Sequence, residues 1–198
     1  MSKTRNVAIY IFDDVELLDF CGPFEVFSVA DRIGDDNPFN VFSVAQGSNT
    51  IITKNGLSIN AKYSIENCPK PDILLIPGGQ GARKEMYNEV LLRWIKDCSK
   101  DIEFILSVCT GAFILARCGL LKDKKATTHH LGYEKLEELE PTVEVLRNKR
   151  FVDNGDIILS GGISAGIDMS LYVVNKLLGD EAVKRTVEHM EYYSDKYS

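Results

Sequence analysis

The chain has 198 residues, a net charge of −6 at pH 7, and 44% hydrophobic and 26% charged residues. That is enough chain for one well-filled core, and a single domain over residues 1–198 is expected. The acidic balance argues against nucleic acid as a partner, which calls for a basic stripe, and no apolar run reaches the length of a membrane span.

The opening MSKTRNVAIYIF is basic and then apolar, but the apolar run is only strand-length and stops at Asp13-Asp14, so it is not read as a signal peptide. Asn6 to Phe12 instead predicts a parallel strand buried on both faces. Gly22-Pro23 predicts the start of a helix, with Val26, Phe27, Ala30 and Ile33 on its inner face. Phe39 to Ala45 reads as a strand, and Asn55-Gly56 signals a type I′ hairpin between two short strands. Asp72 to Pro77 is a second buried strand ending at Gly78-Gly79, and Glu89 to Cys98 is an amphipathic helix carrying Trp94. A strand from Ile102 runs into Cys109, and the helical pattern AFILARCGLL follows, with Gly119 as its C-cap. Lys125 to Thr128 is a short strand, Tyr133 to Glu140 a solvated acidic helix, and Phe151 to Ser160 a hairpin turning at Asn154-Gly155. Ser164 is expected to cap a helix ending at Gly179, and a last helix starts at Asp180, running into the amphipathic, fraying tail HMEYYSDKYS. Strands alternating with helices in this way predict an α/β, doubly wound sandwich with a mostly parallel central sheet.

In such sheets ligands bind at the carboxyl ends of the strands. Asp19, Gly78-Gly79-Gln80-Gly81, Cys109-Thr110, Thr127-Thr128-His129 and Gly161-Gly162-Ile163-Ser164 each follow a predicted strand. Cys109 stands out because a strand–nucleophile–helix elbow presents its side chain on a sharp turn, and a helix N-terminus lowers a thiol's pKa. The competing reading is a buried packing thiol. The five cysteines, Cys21, Cys68, Cys98, Cys109 and Cys118, are odd in number and lack C-x-x-C spacing. That speaks against a zinc site or a disulfide framework and for a reducing, cytoplasmic setting; Cys21 and Cys118 read as packing positions. Asp19 is either an acid beside the thiol or a helix-capping residue. The Gly78 segment fails the G-x-G-x-x-G pattern at Lys84, so it reads as a tight turn offering backbone donors rather than a nucleotide loop. Ser164 and Asp168 read as capping and shaping their helix.

The segments IFDDVELLDFCGPFEVF, IPGG, SVCTGAFILARCGLLKDKKATTHH and SGGISAGIDMSLYVV resemble the ThiJ/PfpI superfamily (class I glutamine amidotransferase-like), and within it the isonitrile hydratase-like branch, from Val7 to about Leu178. The resemblance implies a flavodoxin-like fold, a homodimer, and addition of water to a small-molecule isonitrile to give an N-substituted formamide. It places the nucleophile on Cys109, the acid on Asp19 and a further catalytic role on Thr110, with Gly78, Gly79 and His129 as binding residues and no metal or organic cofactor. Superfamily members suspected of peptidase chemistry carry His directly after the cysteine; here Thr110 stands there, which disfavours that activity. His129 is either a site residue or a structural hydrogen-bonding residue at a strand end. Two other functions compete with the hydratase: a redox or carbonyl-stress protein with an oxidisable Cys109, and a non-enzymatic ligand-sensing module related to domains of transcription regulators.

Overall fold

The computed structural model describes residues 4–31, 37–47 and 50–192. The chain forms strands β1 (Arg5–Tyr10), β2 (Phe39–Ala45), β3 (Thr50–Ile52), β4 (Ser58–Asn60), β5 (Tyr63–Ser64), β6 (Ile73–Ile76), β7 (Phe104–Val108), β8 (Lys125–Ala126), β9 (Glu144–Val145), β10 (Phe151–Asp153) and β11 (Ile157–Ser160). Its helices are α1 (Leu17–Val29), α2 (Ala82–Glu85), α3 (Glu89–Cys98), α4 (Gly111–Arg117), α5 (Tyr133–Leu139), α6 (Ala165–Leu178) and α7 (Asp180–His189).

Seven strands make one sheet in the order β10-β11-β7-β6-β1-β2-β5. All neighbours pair in parallel except β10 with β11. The central strands carry continuous apolar runs because helices cover both faces: Val7 to Tyr10, Ile73 to Ile76 and Phe104 to Val108 are all buried. The path from β1 to β2 runs in the opposite direction across the sheet from the path β6 to β7. With right-handed crossovers this puts α1 and α3 on opposite faces and makes β1 and β6 the point where the winding reverses. The expected doubly wound α/β sandwich is therefore the fold found. No helix among the described residues is long and apolar enough to cross a membrane.

Several local expectations need correction. Helix α1 begins at Leu17, five residues before Gly22, and carries Pro23 inside it. Packing overrides the proline penalty here: a Cβ on Gly22 would sit 2.9 Å from Ile167 Cγ1, so the glycine lets α1 lie close on α6. Ile33, expected on the same helix, lies outside the described residues. The β3–β4 hairpin exists, but its turn is not type I′, because Asn55 keeps a negative φ and only Gly56 is positive, at +85°. Gly56 N–H donates to Thr53 O and Thr53 N–H to Leu57 O, a three-residue loop with glycine at the left-handed position. β8 pairs only with β9, outside the main sheet. Ser164 makes no side-chain cap; its hydroxyl accepts from Arg150, which also pairs with Asp168.

Leu75 is fully buried in the centre of the sheet whereas Ile52 is 53% exposed. Leu75→Ala is expected to cost about 3 kcal/mol and lower Tm by roughly 6–12 °C. Ile52→Ala should stay within about 0.5 kcal/mol of the parent; thermal denaturation of both variants checks the contrast.

Candidate active site

The ends of β6, β7 and β11 come together around one carboxylate. Asp19, in the first turn of α1, is fully buried. Its Oδ2 accepts from Gly78 N–H, just after β6, at 3.1 Å, and its Oδ1 accepts from Ile163 N–H, just after β11, at 3.1 Å. The thiol of Cys109, just after β7, lies near enough to the same carboxyl group for the two to shift each other's protonation. Asp19 thus joins the loops after β6 and β11 and does not cap α1.

Cys109 occupies a strained elbow, with φ at +56°, a conformation costing a non-glycine residue roughly 1–2 kcal/mol. Its surroundings fix the turn: Cys109 N–H donates to Ser160 O and Gly161 O, and Cys109 O accepts the Thr128 hydroxyl at 2.6 Å. The segment after β8 therefore reaches the site even though β8 is not part of the main sheet. Glycine is required where the β6 loop passes the elbow. A Cβ on Gly78 would lie 2.5 Å from Thr110 N and 2.9 Å from Asp19 Oδ2. Gly79, at φ +125°, sits against the backbone of Asp14 to Glu16.

Thr110 ties the elbow to that loop. Its hydroxyl accepts from Gly79 N–H at 3.0 Å and donates to Gly79 O at 3.1 Å. The N–H groups of Gly78 and Gly79 are thus committed to Asp19 and Thr110, so these glycines position the site instead of offering free donors to a ligand. A thiolate at Cys109 would face the Thr110 backbone N–H and, once the hydroxyl turns from Gly79 O, its O–H as well.

The electrostatics differ from the sequence expectation of an acidic thiol. Burial, with Asp19 next to it, pushes the Cys109 thiol up to about 12, and the donors from Thr110 offset only part of this. Burial likewise pushes the Asp19 carboxyl up to about 7; the Glu16 charge adds to the rise, and the bonds from Gly78 and Ile163, with the nearby Cys109 thiol, oppose it. At neutral pH the pair carries at most one negative charge, and that charge sits on Asp19.

His129 is half-buried, its ring against Gly162 and tilted at 35° to that of His130, 4.3 Å away between centroids. Its Nδ1 accepts from Leu131 N–H at 3.3 Å, which leaves the proton of the neutral ring on Nε2. Burial lowers its pKa, and nearby His130, Arg83 and Lys54 add to the fall. Two residues have roles that the sequence did not assign them. Glu16, at the entrance to α1, pairs with Lys54 Nζ at 3.6 Å. Ile163 supplies a backbone donor to Asp19 from a left-handed conformation, φ +55°. Backbone roles leave no residue-type signature, and Glu16 shares its loop with two other acids, Asp13 and Asp14. Among the described residues no cluster of three or more His, Cys, Asp or Glu is arranged to hold a metal.

The sequence pattern of the DJ-1/PfpI family matches residues 5–176. Isonitrile hydratase of Pseudomonas putida is 30% identical over 188 residues, which cover 94% of this chain and 78% of that protein. The HTH-type transcriptional regulator CdhR of Pseudomonas aeruginosa is 25% identical over 173 residues, covering 87% of this chain but only 50% of the regulator. Among solved structures, a ThiJ/PfpI family protein from Pseudomonas syringae has the same fold, with a TM-score of 0.88 at 24% identity, covering 98% of this chain and 77% of that one. A pattern match spanning nearly the whole chain, together with the shared fold, places this protein in the DJ-1/PfpI family.

Proposed function

We propose that the protein adds water to an isonitrile, R–N≡C, to give the formamide R–NH–CHO, with Cys109 as nucleophile and Asp19 as its acid–base partner. The observation that carries this reading is the buried Cys109–Asp19 pair, which holds a proton between a nucleophile and a carboxylate with a pKa near neutrality. The similarity to isonitrile hydratase supports the choice of substrate.

In the resting pair above pH 7 the thiol is protonated and Asp19 ionised. As Sγ attacks the terminal carbon, the thiol proton passes to Asp19, which delivers it to that carbon. The product is the thioimidate R–N=CH–S–Cys109. Water then adds across the C=N bond, hydroxyl to carbon and proton to nitrogen. The C–S bond breaks, formamide leaves, and the hydroxyl proton returns through Asp19 to the thiolate. Thr110 N–H and O–H steady the sulfur while it is negative. The reaction closes without an added oxidant, metal or organic cofactor. We further propose that the working form is a homodimer with a small molecule as its ligand.

The redox reading is weaker on the same observation, because susceptibility to peroxide follows thiolate character and exposure, and Cys109 is 6% exposed with a raised pKa. The peptidase reading lacks its base: the residue after the nucleophile is Thr110, and the bond recorded for His129 is to Leu131. The likeness to the regulator keeps a sensing role as the alternative outcome, namely binding without turnover.

With cyclohexyl isocyanide, wild type is expected to release the N-substituted formamide, while Cys109→Ala and Asp19→Asn lower kcat/KM by about a thousandfold or more. A wild type that is inert towards isonitriles contradicts the assignment. The pH profile follows from the raised Asp19 pKa. The carboxylate must be ionised to take the thiol proton, so kcat/KM falls as pH drops through about 7, reaching roughly one thirtieth of the plateau at pH 5.5. Because the Glu16 charge contributes to that raised value, Glu16→Gln should move the acid limb to lower pH.

A further inference from the structure

We propose that Ile163 determines specificity: its side chain receives the hydrocarbon R group, so that the protein prefers isonitriles bearing a bulky apolar substituent. The inference rests on the hydratase reading and concerns the same site. Ile163 is disfavoured twice at its position. Its φ of +55° is a conformation that β-branched side chains rarely adopt and that Gly or Asn accept readily. Its side chain is also 39% exposed, where a polar residue would cost nothing.

The bond from Ile163 N–H to Asp19 does not account for the side chain, since any residue but proline supplies that N–H. What the side chain adds is exposed apolar surface on a residue whose backbone is bonded to Asp19. A second exposed apolar residue adjoins Asp19 in the chain. Leu18, 38% exposed, immediately precedes Asp19, and its Cδ1 lies 3.7 Å from the Cβ position of Gly22, against which Ile167 of α6 also packs. The residue before Asp19 in α1 and the residue bonded to Asp19 ahead of α6 are thus both exposed and aliphatic. A substrate with its isonitrile carbon at Cys109 and a hydrocarbon tail on Ile163 would bury that surface.

The test compares wild type with Ile163→Asn and Ile163→Gly, substitutions that suit a left-handed backbone and keep the N–H. Both variants are expected to gain about 2–4 °C in Tm from relieved strain. Their ratio of kcat/KM for cyclohexyl isocyanide over methyl isocyanide should fall about tenfold. A ratio equal to that of wild type overturns the inference; so does an unchanged ratio accompanied by dissociation of a dimer in sedimentation, which would assign the side chain to a subunit contact. If wild type turns over neither isonitrile, the hydratase reading fails, and calorimetric binding of N-cyclohexylformamide against N-methylformamide decides the inference by itself. A wild-type preference for the cyclohexyl compound that both variants lose upholds it, and the absence of such a preference overturns it.

Discussion

Keeping a carboxyl group buried beside a thiol is the constraint on which the rest of this structure depends. An isolated buried carboxylate is costly, so every lone pair of Asp19 needs a donor. The fold supplies them from separate places in the chain, Gly78 after β6 and Ile163 after β11, and sets the Cys109 thiol after β7 near the same carboxyl group. A parallel sheet whose winding reverses at β1 and β6 is what brings those strand ends together over the start of α1. Gly78 and Gly79 are glycine because the loop passes too close to Thr110 and to the backbone of the β1–α1 connection for any side chain to fit.

Magnitudes decide the protonation of the pair. A helix N-terminus favours a nearby anion by about 0.3–1 kcal/mol, and α4, with seven residues, is a short helix. Against this stand loss of hydration at a site 6% exposed and the repulsion of Asp19, which together push the thiol up to about 12. The elbow therefore does not hold a preformed thiolate; it holds a thiol whose proton has a short path to a carboxylate that titrates near neutrality. That arrangement suits a nucleophile that must also protonate the carbon it attacks. The strain at Cys109 and Ile163, roughly 1–2 kcal/mol each, is held in place by bonds such as those from Cys109 N–H to Ser160 O and Gly161 O.

The sheet and the cysteine elbow were legible because they follow from patterns that a sequence carries openly, whereas Asp19 as the acid came from the family resemblance. ILLI and FILSV are too continuously apolar for anything but strands covered on both faces, and a cysteine between a strand and a helix marks an elbow. What was not legible depends on tertiary contacts. Pro23 looked like a helix start, but close packing of α1 on α6 carries the helix through it. Ser164 had the right residue type for a cap, yet its hydroxyl accepts from Arg150. The Asn55-Gly56 pair marked the hairpin correctly but not its turn, because Asn55 keeps a negative φ. The lowered thiol pKa expected from the helix was wrong because sequence does not show how deeply the elbow is buried. Ile163 was placed at a strand end but given no role of its own, because its bond to Asp19 is made by the backbone.

The most direct test of this account is a titration of the pair itself. Thiolate absorbance at 240 nm, compared between wild type and Cys109→Ser, reports the thiol, and carbon-13 chemical shifts of labelled aspartate side chains report Asp19. The account predicts a carboxyl titrating near pH 7 with no Cys109 thiolate signal below pH 9. A Cys109 thiolate that forms below pH 7 while Asp19 stays protonated would contradict it.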